Sequence, residues 1–224
     1  MNSIRAVLFD FDGTLTLPGN IDFAGIKKAI RCPADEPILE FIEGLPSVAA
    51  RRKAWRVLEE FEDQAARCSH PNEGAEELVR FLKQRHIRRG ILTRNRRVSV
   101  ETSLKNFAHV RLADFNVIVT RDQVQRPKPD PEGIVLAARR LRVPAASLLM
   151  VGDYRYDVEA GQRAGAPTVF LESRLTTRRP SPPADFTIRM LNEVAEIIKT
   201  KFQIPNSNEW EQQMEIKISR QSGI

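Results

Sequence analysis

The sequence predicts a doubly wound α/β fold on a parallel sheet, with a small all-helical segment inserted after the first strand. Two observations lead to this fold class. Short apolar runs alternate with helical patterns over most of the chain, as they do in successive βαβ units. Residues 18–71, by contrast, contain helical patterns and no convincing strand.

Five apolar runs are predicted to be buried strands, because each is short, continuous and bounded by polar or turn-forming residues. They cover residues 6–9, 90–93, 116–120, 147–151 and 167–171. Helical patterns between and after them cover residues 74–85, 98–106, 131–140, 154–164 and 191–201. Pro131 suits the first turn of its helix, where its missing N–H is not needed.

The stretch between the first two strands carries helical patterns at residues 23–30, 37–42 and 47–66. Turn-forming residues bound it on both sides. We therefore expect a helical insert at residues 18–71, and an α/β core at residues 1–17 and 72–202. An irregular all-helical start to one single domain is the alternative. Residues 203–224 show no clear period and are expected to form a tail, either disordered or docked on the domain.

The composition is ordinary for a globular protein, with 42% hydrophobic and 29% charged residues. No run of 18 apolar residues exists, so no membrane span is expected. The first residues lack the features of a secretory signal, and Cys32 and Cys68 form no CxxC pair. A cytoplasmic location is therefore expected. The net charge of +6 attracts anions such as phosphorylated metabolites or nucleic acid, unless it only reflects a solvated arginine-rich surface.

Two acidic residues, Asp10 and Asp12, follow the first strand directly in the run Asp-Phe-Asp-Gly-Thr. In open α/β sheets, ligands bind beyond the carboxyl ends of the strands. Two carboxylates this close repel each other unless a cation neutralises them, so a metal-assisted site is expected. Gly13 lets the chain turn and brings backbone N–H groups near a bound anion. An acidic loop that caps a helix is the alternative.

The run from Asp10 to Thr16, Asp-Phe-Asp-Gly-Thr-Leu-Thr, resembles the first motif of the haloacid dehalogenase superfamily. Three further motifs follow in the family's order. Thr93 resembles the second, Lys128 within Arg-Pro-Lys-Pro-Asp-Pro the third, and the Gly-Asp-x-x-x-Asp run at 152–157 the fourth. The helical insert resembles the cap of the subfamily that includes phosphoglycolate phosphatases. The resemblance implies a Rossmann-like core with the first strand at its centre.

The same resemblance implies a phosphohydrolase that depends on Mg²⁺, an ion that prefers oxygen ligands. Asp10, Asp153 and the backbone carbonyl of Asp12 are expected to hold the ion. Asp10 is expected to attack phosphorus and form an aspartyl-phosphate. Asp12 is expected to protonate the leaving alkoxide and then to take a proton from the hydrolytic water. Since dehalogenases lack a second acid there and transport ATPases carry threonine, Asp12 favours a phosphatase or a phosphomutase.

Gly13, Thr93, Arg94 and Lys128 are expected to bind the phosphoryl group. Thr93 and Lys128 owe this assignment to their places in the series of motifs; the hydroxyl would donate a hydrogen bond, and the ammonium would restrain Asp10. The role of Asp157 is open: it could bind the metal, act through water, hold Lys128, or only stabilise a helix N-terminus. If the helix begins at Asp153, both acids share one face of it.

Two arginines depart from the family's pattern, Arg94 after Thr93 and Arg155 two residues after Asp153. They either contact a second anionic group of the substrate or pair with surface acids. The insert adds further basic candidates for substrate selection: Lys27, Lys28, Arg31, Arg51, Arg52, Lys53 and Arg56.

The expected function is hydrolysis of a small phosphorylated metabolite, with phosphoglycolate as the default substrate of the subfamily. One alternative is a phosphomutase of the β-phosphoglucomutase type, which uses the same aspartates but retains the phosphoryl group. A second is a nucleic-acid or nucleotide phosphatase, in which the positive charge follows a strand. No membrane partner is expected.

Overall fold

A computed structural model describes residues 3–174 and 179–202. Its centre is a parallel six-stranded sheet in the order β3-β2-β1-β4-β5-β6, so the predicted fold class and the central first strand are confirmed. The strands are β1 Ala6–Phe9, β2 Arg88–Leu92, β3 Val117–Val119, β4 Leu148–Gly152, β5 Thr168–Leu171 and β6 Phe186–Ile188. The chain order reverses at β1, which places a crevice between the carboxyl ends of β1 and β4.

Helices cover both faces of the sheet, which is why β1, β3 and β4 are apolar and buried along their length, whereas β2 begins with Arg88 and Arg89. Val7 and Phe9 belong to a buried cluster with residues of three helices, α4, α5 and α8, whereas Ala6 and Leu8 belong to a second cluster with residues of α6 and α7. These helices are α4 Ala75–Gln84, α5 Arg97–Leu104, α6 Glu132–Leu141, α7 Arg155–Arg163 and α8 Glu193–Lys201. Short 3-10 turns lie at Leu112–Asp114, Arg121–Gln123 and Ala145–Ser147.

The segment between β1 and β2 contains the other three helices, α1 Phe23–Ile30, α2 Ile38–Gly44 and α3 Val48–Cys68. The Asp22 carboxylate caps α1 by accepting from Gly25 N, and the Ser47 hydroxyl caps α3 by accepting from Ala50 N. Apolar side chains of the three helices, including Ile26, form a buried cluster of their own. We call the part of the chain that contains these three helices, residues 18–71, the helical segment.

Two extended stretches of chain connect the helical segment to the sheet, and they pair with each other in an antiparallel bridge between Thr16 and Pro71. Leu17 N donates to His70 O at 2.9 Å, and Asn72 N donates to Leu15 O at 2.8 Å. The Asn72 amide also donates to the carbonyl of Thr14 at 3.0 Å. The two connecting stretches therefore meet beside the loop that carries Asp10 and Asp12.

The predicted elements differ from the observed ones mainly at their ends. The strand β6 was not predicted, because three residues at a sheet edge are too short to show a period. The predicted tail at residues 203–224 lies outside the described residues. Within the described ranges, no helix combines the length and the apolar character that crossing a membrane would require.

Candidate active site

The predicted acidic residues meet at the crevice between β1 and β4. Asp10 directly follows β1, and its backbone N–H donates to Val151 O of β4 at 2.8 Å. Asp153 directly follows β4. Because the two strands are parallel neighbours, both carboxylates emerge at the same edge of the sheet.

The loop after β1 brings Gly13 against Asp153. Gly13 has a φ of 81°, a backbone conformation that favours glycine. A Cβ atom at this position would lie 2.2 Å from Asp153 Oδ2, so a side chain would displace that carboxylate. Thr14 Oγ1 donates to Asp153 Oδ1 at 3.2 Å. The loop therefore orients Asp153 by contact as well as by a hydrogen bond.

Lys128 is buried and joins two of the carboxylates. Its Nζ donates to Asp10 Oδ1 and to Asp157 Oδ1, each at 2.6 Å, and to Leu92 O at 2.9 Å. Burial alone would lower the pKa of this ammonium, but Asp10 and Asp157 outweigh that effect and raise its pKa above the ordinary value. Lys128 is therefore a fixed positive charge between two acids.

Asp157 uses both of its oxygens within the site. Oδ1 accepts from Lys128, and Oδ2 accepts from Tyr154 N at 3.0 Å. This arrangement favours the role of holding Lys128. The helix α7 begins at Arg155, so Asp153 precedes it and the two acids do not share a helix face. Gly152 makes room for this arrangement, since a Cβ there would lie 2.2 Å from Asp157 Cγ.

Three carboxylates, from Asp10, Asp153 and Asp157, each offer an oxygen within 4.8 Å of the others. An all-oxygen donor set of this kind fits a hard cation such as Mg²⁺. Burial raises the pKa of Asp153, and the charges of Asp10 and Asp157 raise it further. These acids repel one another, and a divalent cation would relieve that repulsion. The contribution of the Asp12 carbonyl stays a prediction.

Asp12 lines the same pocket, and it has a partner that the sequence did not reveal. The Asn95 Nδ2 atom donates to Asp12 Oδ2 at 2.6 Å. Burial raises the pKa of Asp12 to about 8, with further contributions from the charges of Asp10 and Glu62. The protonated form of Asp12 is therefore favoured at neutral pH in the metal-free site. The only sequence signal for Asn95 was its place two residues after Thr93.

Thr93 is buried at the end of β2, where its backbone N–H donates to Val119 O at 3.0 Å. Its Oγ1 accepts from Asn95 N at 3.0 Å. Because the oxygen already serves as an acceptor, the hydroxyl hydrogen is left to be donated to another group. Thr93 and Lys128 both line the pocket that holds Asp10, so these two predicted phosphoryl-binding residues come together there, whereas Gly13 is not among the described residues that line it.

Arg94 also lines this pocket, but its guanidinium is already engaged. It donates to the backbone carbonyl of Lys128, and its Nη2 donates to Glu40 Oε2 of α2 at 2.6 Å. The same guanidinium lies over the ring of Tyr156, 5.2 Å from the centroid. Of the two interpretations of this arginine, the geometry favours pairing with an acid.

Most of the other predicted cations lie outside the described lining of the pocket. Arg155 lies over the Tyr156 ring at 5.1 Å and does not belong to the described residues that line the pocket. Arg51, Arg52 and Arg56 line a separate surface depression. Lys27 does line the pocket, and its Nζ donates to Ala34 O at 2.6 Å.

The sequence profile of the haloacid dehalogenase-like hydrolase family matches residues 7–171. An uncharacterized hydrolase of Saccharomyces cerevisiae is 32% identical over 203 residues, which cover 89% of this chain and 93% of the relative. N-acetylmuramic acid 6-phosphate phosphatase of Pseudomonas aeruginosa is 29% identical over 188 residues, which cover 74% and 80% of the two chains. A haloacid dehalogenase-like hydrolase from Bacteroides fragilis has a similar fold, with a TM-score of 0.72 at 23% identity; the match covers 86% of this chain and all of the neighbour.

Proposed function

Because the chain belongs to the haloacid dehalogenase-like hydrolase family and is a phosphatase of that family, we propose that it hydrolyses a small phosphate monoester through an aspartyl-phosphate on Asp10. The observation that carries this proposal is the arrangement around Asp10. One pocket of about 360 Å³ holds Asp10, Asp12, Lys128 and Asp153. It combines a nucleophile, a proton donor, a fixed positive charge and an oxygen donor set for a cation.

The first step forms a bond between an Asp10 carboxylate oxygen and phosphorus, and it breaks the bond between phosphorus and the alcohol oxygen. Lys128 fixes Asp10 through Oδ1 at 2.6 Å, which limits the motion of the nucleophile. The proton of Asp12 passes to the departing alkoxide. Thr93 and Lys128 both line the pocket. The Thr93 hydroxyl would donate a hydrogen bond to a phosphoryl oxygen, and the Lys128 ammonium would offset the negative charge as it shifts.

The second step hydrolyses the aspartyl-phosphate. Asp12, deprotonated by the first step, takes a proton from a water molecule, whose oxygen attacks phosphorus. The bond between phosphorus and the Asp10 oxygen breaks, and inorganic phosphate leaves with Asp10 regenerated. Asn95 holds Asp12 through both steps, because its amide donates to one carboxyl oxygen whichever way the proton moves.

Magnesium belongs to this proposal, with Asp10, Asp153 and the Asp12 carbonyl as its expected protein ligands. The ion would neutralise phosphoryl oxygens and so let a carboxylate approach a negatively charged ester. Asp157 is assigned the role of holding Lys128, because its Oδ1 accepts from Lys128 and its Oδ2 is already occupied by Tyr154 N. The oxygen-only chemistry of the donor set supports a hard cation rather than zinc.

We assign the helical segment, residues 18–71, the role of a cap over the core formed by residues 1–17 and 72–202. The separate apolar cluster of its three helices supports this division. Phe23, Pro37 and Ile38 of the segment line the pocket, which supports a role for the cap in contacting the part of the substrate beyond the phosphoryl group. A cytoplasmic location belongs to the same proposal.

The test is a panel of phosphorylated metabolites assayed for phosphate release with and without magnesium. Activity should disappear in chelator and return with magnesium, whereas the larger calcium ion should substitute poorly. In Asp10→Asn, turnover should be lost with the fold intact, and acid quenching of the wild type with radiolabelled substrate should label Asp10. Asp35→Asn, at an exposed position of the cap, is the matched control.

Near-normal turnover in Asp10→Asn would contradict the aspartyl-phosphate mechanism. Phosphoryl transfer between sugar phosphates without net phosphate release would indicate the mutase alternative. Tight, salt-sensitive binding of oligonucleotides would instead support a nucleic-acid phosphatase.

A further inference from the structure

The lining of the pocket changes in character away from the acids. Four cap residues contribute apolar side chains, Ile21, Phe23, Pro37 and Ile38, which we call the apolar wall. Tyr154 lines the pocket as well. The Phe23 and Tyr154 side chains are 56% and 48% exposed, so a bound ring that covers them would remove apolar surface from water.

The cations of the lining are already engaged by groups of the protein. Lys128 contacts Asp10 and Asp157, and Arg94 contacts Glu40 and the Lys128 carbonyl. The Lys27 ammonium is directed to the carbonyl of Ala34. A second anionic group on the substrate would have to displace one of these interactions, whereas an apolar group would meet the wall without displacing any of them.

The volume of the pocket indicates how large a group it can surround. At about 360 Å³ it lies near the lower end of the range of about 300–1,000 Å³ that small-molecule sites occupy. The acids, Thr93 and Lys128 are assigned to the phosphoryl group. The remaining space suits one ring rather than an extended chain or a polymer.

We propose that the substrate is a phosphate monoester of an alcohol that carries one uncharged ring, and that the ring packs against the apolar wall and Tyr154. This inference rests on the proposed function and specifies its substrate class. Short esters with a second anionic group, such as phosphoglycolate, are then poor substrates. The shared chemistry is an uncharged ring with an apolar face, which either a sugar or an aromatic alcohol can supply.

The experiment compares kcat/KM for three esters of primary alcohols: benzyl phosphate, 4-carboxybenzyl phosphate and ethyl phosphate. The first two differ only in a carboxylate on the ring, and the third lacks the ring. We expect benzyl phosphate to exceed each of the others at least tenfold. A neutral sugar phosphate is assayed beside them, and its kcat/KM relative to benzyl phosphate shows whether the pocket prefers a sugar ring or an aromatic ring.

Variants locate the effect in the wall. Phe23→Ala should raise KM for benzyl phosphate several-fold and leave ethyl phosphate unchanged; because Phe23 is exposed, folding should not suffer. Val48→Ala removes a side chain that is 65% exposed on the same cap and lines a different depression, so it is the matched control. Lys27→Met should leave the ranking of the three esters unchanged.

Preference for 4-carboxybenzyl phosphate, lost in Lys27→Met, would overturn the inference and assign the pocket to dianionic substrates. Equal kcat/KM for all three esters would overturn it while leaving the proposed hydrolysis intact. Failure to release phosphate from any of them, with magnesium present, would contradict the proposed function and this inference with it.

Discussion

At the scale of single residues, the site depends on how buried charges are paired. Lys128 and Asp157 satisfy each other, whereas Asp12 has no cation within hydrogen-bonding distance among the described residues and is held by the neutral amide of Asn95. Burial therefore raises the pKa of Asp12, while Lys128 remains charged. A proton donor and a fixed positive charge thus coexist in one pocket because their partners differ.

The proton of Asp12 leads to a prediction that depends on the leaving group. Asp12→Asn should slow hydrolysis of an alkyl phosphate by about 10²–10⁴-fold, the usual contribution of general acid–base catalysis. The first step on p-nitrophenyl phosphate should be slowed far less, because its leaving group needs no proton. Rapid-quench measurement of that step for both esters is the test, with Asp35→Asn as control.

The pH profile should follow the same carboxyl group. Its pKa is raised, so the protonated acid persists to about pH 8 in the metal-free site, and a bound cation lowers that limit. Activity toward alkyl esters should therefore fall as pH rises through this pKa, and Asp12→Asn should lack that decline. Equal slowing of both esters at all pH values would show that Asp12 acts only through the structure of the site.

At the scale of elements, a largely buried ion cluster joins α3 of the helical segment to the chain after β2 and β3. Glu62 is 2% exposed and accepts from both terminal nitrogens of Arg121, and Arg96 pairs with Asp63 at 2.7 Å. The Arg121 guanidinium also lies over the Trp55 ring of α3, 4.9 Å from its centroid. Burial raises the pKa of Glu62 although both arginines act to lower it. The desolvation of this charge therefore outweighs the attraction of its partners.

This balance predicts how variants of the cluster behave. Glu62→Gln and Arg121→Met should each lower the free energy of unfolding by about 3–5 kcal/mol, because each removes the main partner of a buried charge. In Arg121→Met, Glu62 keeps only the longer contact to Arg96 at 3.4 Å. The double variant Glu62→Leu with Arg121→Met should recover most of that loss, since both members of the buried pair are removed together and Arg96 keeps Asp63 as its partner. Urea denaturation measures all three.

Glu60→Gln, at an exposed position of the same helix, is the control and should change stability by less than about 0.5 kcal/mol. If the double variant loses as much free energy of unfolding as the two single variants together, the pair contributes a net attraction. The conclusion that the desolvation of Glu62 outweighs the attraction of its partners would then be wrong. Substrate ranking in the double variant would show whether the cluster also sets the position of the cap.

At the scale of the whole molecule, the site exists only because the sheet brings distant parts of the chain together. Asp10, Lys128 and Asp153 are far apart in sequence and meet at the carboxyl edge of β1, β2 and β4. When Asp10, Asp153 and Asp157 are all ionised, they carry more negative charge than Lys128 neutralises. A divalent cation that binds the folded state alone should therefore stabilise the entire molecule.

Magnesium should raise the melting temperature of the wild type, and the shift should be lost in Asp153→Asn but retained in Asp35→Asn. Burial raises the pKa of Asp153, and the ion requires the deprotonated carboxylate. Affinity for magnesium should therefore rise as pH rises through that pKa. At pH values below that pKa, binding of the ion should release a proton from Asp153. Calorimetry in two buffers of different ionisation enthalpy measures the release; binding that is independent of pH and releases no proton would contradict the assignment.

The sequence by itself determined the alternation of strands and helices, the position of the helical insert and the acids that follow β1 and β4. These features are local, because burial on both faces produces continuous apolar runs and parallel strands share one functional edge. Even so, β6 escaped prediction because its three residues carry too short a pattern, and β2 begins two residues earlier than predicted, at Arg88.

Only the tertiary structure decided which side chains are partners. It paired Asn95 with Asp12, Lys128 with Asp157, and Arg94 with Glu40. It also placed Asp153 ahead of α7 rather than on it. The physical reason is that burial and pairing depend on residues brought together from distant segments, and these contacts set both pKa values and the charge left for a substrate. A motif identifies which groups are present; packing determines which of them remain available.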